Sequence, residues 1–217
     1  MKKLIFVFSL IFLFSSLSNA QIYKGFGVKI GTSIANQYYR GFGEALSYKF
    51  GFTGGVFKEI HLFEKLNIVA GINYSQKGAL EDWTKTSETG QYLGTDYFHR
   101  TVNMMSVELL AKYDGNTGYL SPYILAGVRM DIFISSNNVL NGEKLTPSFY
   151  SYPINNNKIF GGSIGLGLDF KPSKLLNLFI EGTYNPDFTN LGERTLPDGY
   201  IWKINNYSFD IRTGIKF

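Results

Sequence analysis

Cysteine is absent from the 217 residues, and histidine occurs only twice. Without cysteine, we expect neither disulfides nor a lipid anchor on the exported chain. Basic residues are not in large excess either, because the chain has 21 lysines and arginines against 17 aspartates and glutamates. They form no continuous stripe of the kind that neutralises a phosphate backbone, so the sequence predicts no nucleic-acid partner.

Long apolar runs are scarce, and the one that is present lies at the N-terminus. Two lysines precede an apolar run at 4–14, and Ala20 ends a small-residue cleavage site. A helix that crosses a bilayer needs about 20 apolar residues, which this run does not reach. We therefore predict a cleaved signal peptide at 1–20 and a single exported domain at 21–217, with 19 basic residues against 17 acidic ones.

Period-2 alternation runs through the rest of the chain. At the C-terminus Tyr207, Phe209 and Ile211 occupy one face of a strand, while the residues between them are polar or charged. The same pattern predicts eight strands, at 24–36, 47–60, 66–77, 101–113, 121–134, 158–170, 176–184 and 207–217. About 197 mature residues suit one all-β barrel of this strand number.

Alternation alone does not say which face points outward, since a soluble lipocalin-like barrel also alternates. The connections favour a membrane barrel, because short turns at 61–65, 114–119 and 171–174 alternate with long loops at 37–46, 78–100, 135–157 and 185–201. The charged face is also rich in glycine and serine, as in a narrow lumen, and aromatic residues gather near strand ends. The predicted fold is an eight-stranded antiparallel transmembrane up-and-down β-barrel.

Charges of both signs fall on the predicted inner face. Arg129 with Asp131, and Asp210 with Arg212, lie two residues apart, so each can form a local ion pair. We predict a structural polar network in the lumen and no clear open channel. Its residues are Lys29, Glu108, Lys112, Arg129, Asp131, Asp169, Glu181, Asp210 and Arg212, with Lys49 and Lys77 on the same face.

Several strands resemble the outer-membrane β-barrel family of Bacteroidota that is often called PorT-like. The segments that carry the resemblance are Gly27-Val-Lys-Ile-Gly31, Tyr74-Ser-Gln-Lys-Gly78, Glu108-Leu-Leu-Ala-Lys-Tyr113 and Pro122-Tyr-Ile-Leu-Ala-Gly127. One departure is Leu110, where the family often has proline. The resemblance implies a barrel in the outer membrane of a Gram-negative cell, and some members of the family are implicated in protein secretion.

Motifs for catalysis or metal binding are weak. A lipid A deacylase needs a histidine, a serine and an acid together near the membrane surface. His99 and Thr101 lie near that surface, but no acid stands in an obvious place to complete the set. The glycine-rich segment at 161–167 lacks the helix and lysine of a phosphate-binding loop. The acids between Glu81 and Asp96 lack calcium-loop spacing. We therefore predict no enzyme activity, cofactor or metal.

The predicted function is that of a non-enzymatic envelope barrel. Trp83 and Tyr92 in the second long loop are candidates for contact with an envelope or secretion protein, or they fold over the barrel mouth. Phe217 is the expected C-terminal signal for the barrel assembly machinery, and outer-membrane lipid and lipopolysaccharide are the expected surroundings. A small-solute pore and a lipid A-modifying enzyme are the alternatives.

Overall fold

A computed structural model describes residues 25–40, 46–115, 118–145, 154–172, 176–195 and 201–217. The predicted signal peptide lies outside these ranges, and no described helix is long and apolar enough to cross a bilayer. The described strands are β1 (Phe26–Arg40), β2 (Lys49–His61), β3 (Leu66–Thr86), β4 (Tyr92–Asp114), β5 (Leu120–Leu140), β6 (Glu143–Lys144), β7 (Lys158–Phe170), β8 (Asn177–Pro186), β9 (Gly192–Thr195) and β10 (Ile201–Lys216).

Eight of these strands close into one ring. Each pairs antiparallel with its neighbour, in the order β1, β2, β3, β4, β5, β7, β8 and β10. The ring closes where β10 pairs with β1, from Gly27 opposite Lys216 to Arg40 opposite Lys203. The short strands β6 and β9 add to β5 and β10. The predicted eight-stranded up-and-down barrel is confirmed.

The two faces of the sheet have opposite chemistry. Apolar side chains point outward and stay exposed, as Ile30 (55%), Ile124 (62%) and Leu166 (69%) show. Charged and polar side chains, such as Lys29 and Asp131, point inward and are buried. A soluble barrel would place these faces the other way round. The arrangement suits a sheet surrounded by hydrocarbon, where closure pairs every strand edge.

The ends of the barrel differ. One end holds the last residues of β2, β4, β7 and β10 and the first residues of β3, β5 and β8, and we call it the turn end. At the other end, which we call the loop end, β3, β4 and β5 reach 21, 23 and 21 residues. A tilted strand needs only about 9–11 residues to cross a bilayer. These three strands therefore continue beyond the membrane at the loop end.

This extension corrects one sequence prediction. Residues 78–100 do not form a long loop, because β3 continues to Thr86 and β4 begins at Tyr92, which leaves only 87–91 as the connection. The cross-strand pairing continues from Gly78 opposite Thr101 up to Lys85 opposite Gly94. The aromatic and charged residues that suggested an irregular loop are instead the two faces of an extended hairpin.

Aromatic residues gather at both ends of the outer surface, as the sequence predicts. Near the loop end, the ring of Tyr207 lies 6.1–6.3 Å from the rings of Tyr38, Tyr48 and Tyr184. At the turn end, Tyr119 packs edge-to-face on Phe170 at 4.7 Å. Tyrosines suit the membrane–water interface because the ring is apolar and the hydroxyl is polar. Tyr200 and the side chain of Tyr39, which also stand near predicted strand ends, lie outside the described part.

Candidate functional site

Three layers of paired charges fill the lumen, and each layer has two cations and two carboxylates. The middle quartet consists of Lys29 on β1, Glu108 on β4, Glu181 on β8 and Arg212 on β10. Lys29 Nζ binds Glu108 and lies 3.6 Å from Glu181. Arg212 lies 2.9 Å from Glu181 and 3.6 Å from Glu108. Each cation therefore contacts both carboxylates, and the layer is neutral.

The loop-end quartet repeats this arrangement nearer the loop end. It consists of Lys77 on β3, Arg129 and Asp131 on β5, and Asp187 just after β8. Lys77 Nζ lies 2.6 Å from Asp131 and 3.6 Å from Asp187. Arg129 binds Asp131, and its Nη2 lies 2.5 Å from Asp187. All four side chains are at most 4% exposed, so this layer is also neutral and closed to solvent.

The turn-end quartet consists of Glu59 on β2, Lys112 on β4, Asp169 on β7 and Lys216 on β10. Lys112 Nζ lies 2.7 Å from Asp169 and 3.3 Å from Glu59. Lys216 Nζ lies 2.7 Å from Glu59 and 3.3 Å from Asp169. Asp114 adds a further contact to Lys112 at 3.3 Å. This layer is more exposed than the other two because it lies close to the turn end.

An apolar plug separates the turn-end quartet from the middle quartet. Leu110 lies between Lys112 and Glu108 on the inner face of β4 and is opposite Val69 of β3. The rings of Phe57 and Phe179 meet edge-to-face at 5.5 Å. The whole plug consists of Phe57, Val69, Leu110, Tyr123, Leu125 and Phe179. Four layers in series thus fill the lumen, and the two cavities described between them have volumes of about 10–20 Å³.

The structure buries every residue of the predicted network, but it pairs some of them differently. The predicted local pair Arg129–Asp131 is present. The ion pairs of the Arg212 guanidinium are instead with Glu181 and Glu108 across the lumen, and Asp210 interacts with Arg212 electrostatically without being one of these ion-pair partners. Lys49, also assigned to the lumen, is only half-buried, and its Nζ donates to the Phe50 carbonyl.

Sequence reasoning missed three members of the quartets. Asp187 was assigned to a long loop, but it follows β8 directly, and its backbone N–H bonds to Asn206 O at 3.0 Å. Glu59 and Lys216 lie on inner-face positions at the turn end of β2 and β10. Continuing the period-2 pattern of β2 and β10 to their last residues is the signal that would have found these two.

Glycines on β7 make room for these inward side chains. A Cβ on Gly161 would lie 2.6 Å from Pro186 O and 2.8 Å from Nη2 of Arg129. A Cβ on Gly167 would overlap the ring of Tyr123. The glycine-rich segment is therefore a strand that accommodates bulky neighbours, which agrees with the interpretation that it is not a phosphate-binding loop.

Beyond the membrane, the strands form what we call the sheet extension, made of 81–86, 92–100 and 135–140 together with β6. Trp83 stacks on Phe98 with ring centroids 5.4 Å apart, and Nε1 donates to Glu81 at 3.1 Å. Tyr92, at the tip, is 66% exposed. Of the two contact candidates, Trp83 thus packs within the sheet extension, whereas Tyr92 faces solvent.

Polar contacts tie the sheet extension together. An Asn141-Gly142 turn with positive φ at both residues joins β5 to β6, and Asn141 Nδ2 donates to Asp96 Oδ1 at 2.6 Å. Lys85 Nζ lies 2.7 Å from the same carboxylate. Two hydrogen bonds lower the pKa of Asp96 below its ordinary value. The one from Lys85 has the larger effect, and the one from Asn141 adds to it. The carboxylate is therefore held in its charged form.

His99 does not have the surroundings of a catalytic histidine. It lies on the outward face of β4, opposite Leu80 and Val139, whereas the lumen acids lie on the other face. Asp96, the acid nearest in sequence, is bound by Lys85 and Asn141. Among the described residues, no three His, Cys, Asp or Glu side chains form a cluster that fits a metal ion.

The C-terminal aromatic lies at the seam where the barrel closes. Phe217 N–H donates to Phe26 O at 2.8 Å, and Phe217 O accepts from Gly25 N–H at 2.5 Å. Its side chain is exposed at the turn end. The backbone of the last residue therefore continues the pairing of β1 with β10.

Comparisons with solved structures give similar barrels. Neisserial surface protein A is 14% identical, with 89% of this chain and 98% of that chain covered and a TM-score of 0.47. Ail of Yersinia pestis is 13% identical (89% and 99% covered, TM-score 0.40), and OprG of Pseudomonas aeruginosa is 12% identical (90% and 97% covered, TM-score 0.43). A comparison with curated proteins gives no match.

A family comparison matches most of the sequence, from residue 14 to residue 193. The matched family is described as an outer membrane protein β-barrel domain. The closed ring of strands, the apolar outer face and the charged lumen agree with that description. The chain belongs to the outer membrane protein β-barrel domain family.

Proposed function

We propose that this outer-membrane barrel is a non-enzymatic component of the cell envelope that binds a protein partner through its sheet extension. The observation that carries the proposal is a strand-paired extension with exposed apolar side chains toward its tip. Tyr92, Leu93 and Tyr97 are each more than half exposed there, on strands paired far beyond the membrane. Exposed aromatics on a preformed surface suit protein contact, because they bury a large area at a low cost in conformational entropy.

The filled lumen supports a binding role over transport. A pore for small solutes needs a continuous wet path, whereas three quartets of paired charges and an apolar plug lie in series here. The surroundings of His99 likewise give no support to a lipid A-modifying enzyme. The partner we propose is another envelope protein, including components of a secretion system.

The route to the membrane completes the proposal. We propose that 1–20 directs export, that Phe217 is read by the barrel assembly machinery, and that outer-membrane lipid and lipopolysaccharide surround the apolar face. The closer assignment to the PorT-like barrels of Bacteroidota rests on the strand segments quoted above. The route to the membrane and the closer family assignment can each be tested without identifying the partner.

Site-specific photocrosslinking in the native outer membrane tests the partner. A photoreactive amino acid replaces Tyr92, Leu93 or Tyr97 in turn, and it replaces lipid-facing Ile124 as a matched control. We expect the same protein adduct from the tip positions and no such adduct from position 124. If mass spectrometry finds no protein adduct at any tip position while the barrel is correctly assembled, the proposal is wrong.

A further inference from the structure

A long apolar groove lies on the outer face of the barrel, across β4, β5, β7 and β8. Its volume is about 650 Å³, which falls within the range of about 300–1,000 Å³ that is usual for ligand sites. Small residues form its floor, namely Ala111, Ala126 and Gly182, and a Cβ on Gly182 would meet nothing within 4 Å. The larger side chains that form its walls are Tyr113, Ile124, Ile164, Leu166, Tyr184 and Phe209.

The groove follows a row of directly paired residues across five strands. Ala111 is opposite Ala126, and Ala126 is opposite Ile164. The row continues through Tyr184 on β8 to Phe209 on β10. Neighbouring strands lie about 4.8 Å apart, so the row is about 19 Å long. Because the strands of membrane barrels tilt by about 35–45°, the row rises obliquely through the bilayer. The groove therefore covers about one leaflet, which is half of a hydrocarbon core of about 30 Å.

The groove begins at the turn end of the barrel. Leu66, the first residue of β3, and Tyr113, directly opposite it, line this beginning. At the far end, the rings of Tyr184 and Phe209 pack with their centroids 4.8 Å apart. The short turns of outer-membrane barrels lie on the periplasmic side. The groove therefore begins at the surface of the inner leaflet, which consists of phospholipid.

Charges of both signs stand beside the beginning of the groove. Lys65 directly precedes Leu66, Glu64 precedes Lys65, and both charged side chains are exposed. A zwitterionic headgroup presents a phosphate that suits Lys65 and an ammonium group that suits Glu64. The groove itself is apolar, since Asp210, which also borders it, faces the lumen and is only 6% exposed.

We propose that this groove binds one acyl chain of a phosphatidylethanolamine from the inner leaflet, with the headgroup at Lys65 and Glu64. A second copy of the barrel would fill the groove poorly. Proteins in hydrocarbon gain no hydrophobic driving force from association, so they depend on close packing. The convex wall of another barrel does not reach into a groove, whereas a flexible chain makes contacts along its whole length.

Native mass spectrometry of the intact barrel tests the proposal. The barrel is folded into nanodiscs that contain phosphatidylethanolamine, phosphatidylglycerol and lipopolysaccharide, and it is then released into detergent and washed. We expect one phosphatidylethanolamine to remain on most wild-type barrels after the other lipids are removed. Electrophoresis without heating shows whether each variant is folded.

Matched substitutions locate the lipid. Ala126→Leu fills the floor of the groove without changing any charge, and it should lower the retained lipid about tenfold, because the added methylenes occupy the place of the chain. Ala70→Leu makes the same change at an outward position of β3, opposite Leu109 and outside the groove. It should retain the lipid as the wild type does.

The proposal is wrong if the wild type retains no lipid, or if Ala126→Leu retains as much as Ala70→Leu. A preference for phosphatidylglycerol would contradict the zwitterionic headgroup, and a preference for lipopolysaccharide would contradict the inner leaflet. The proposal rests on the position of the barrel in the membrane and not on a partner of the sheet extension. Its failure would therefore leave the proposed protein partner standing, and the reverse also holds.

Discussion

Lys29 and Glu108 bind each other across the lumen although 79 positions separate them in the sequence. β1 and β4 are not neighbours in the ring, so the contact joins walls that no backbone hydrogen bond connects. Each partner also contacts a second opposite charge, Glu181 for Lys29 and Arg212 for Glu108. The quartet therefore fixes the positions of four strands relative to one another.

The middle quartet should make single charge removals costly. Glu108→Gln leaves Lys29 and Arg212 with one carboxylate between them, and we expect a loss of about 3–5 kcal/mol in the free energy of unfolding. The double variant K29M/E108Q is neutral again and should recover most of that loss. Guanidinium unfolding of the barrel in lipid vesicles, followed by circular dichroism, measures both values.

An exposed ion pair supplies the control for the comparison of Glu108→Gln with K29M/E108Q. Lys85 is 54% exposed beside Asp96, so Lys85→Ala should change the free energy of unfolding by less than about 1 kcal/mol. Equal effects of Glu108→Gln and Lys85→Ala, or an additive double variant, would show that the quartet does not act as a unit.

The barrel and the inner-face positions could be predicted because period 2 is a local property of the chain. The placement of Lys29, Glu108 and Arg212 on the inner face follows from the alternation of the residues beside each of them. Their partners could not be predicted in this way, since Arg212 prefers Glu181 and Glu108 to Asp210, two residues away. Which charges meet depends on the registers of all eight strands, and the local alternation pattern does not give those registers.

The sheet extension shows a different limit. The charged and aromatic segment 78–100 is predicted from sequence as a loop, yet Trp83 stacks on Phe98, and Asn141 of a neighbouring hairpin donates to Asp96. These contacts join residues far apart in sequence, and they override the local preference. For the same reason Asp187 was assigned to a loop, although it completes the loop-end quartet.

The close approach at Gly161 predicts a substitution that the strand does not tolerate. Gly161→Ala would place a Cβ 2.6 Å from Pro186 O and 2.8 Å from the Arg129 guanidinium. Overpacking of this kind costs about 1–3 kcal/mol. Gly182 is the matched control, because a Cβ there meets nothing within 4 Å. Unfolding midpoints in guanidinium should fall for Gly161→Ala and stay level or rise for Gly182→Ala; equal midpoints would contradict the crowding.

The Asp96 carboxylate predicts a pH effect outside the membrane. Because its pKa is lower in the folded chain than in the unfolded chain, its contacts with Lys85 and Asn141 stabilise the fold above the ordinary carboxyl pKa. That contribution is lost as the pH falls through the folded pKa. A carboxyl NMR titration should give a midpoint below the ordinary value in the wild type and a higher midpoint in Lys85→Ala. If the Asp96 midpoint is the same in the wild type and in Lys85→Ala, the ion pair does not form in solution.

The filled lumen predicts that the barrel does not conduct, and planar-bilayer recordings decide this directly. We expect no stepwise openings from the wild type under conditions in which a general porin conducts. Phe57→Ala with Phe179→Ala removes the two rings that meet in the plug, yet the three quartets still close the path. This variant should therefore stay silent as well. Stable openings in the wild type would contradict the closed lumen and favour a small-solute pore. Openings in the plug variant alone would show that the aromatic layer, and not the charged quartets, seals the lumen.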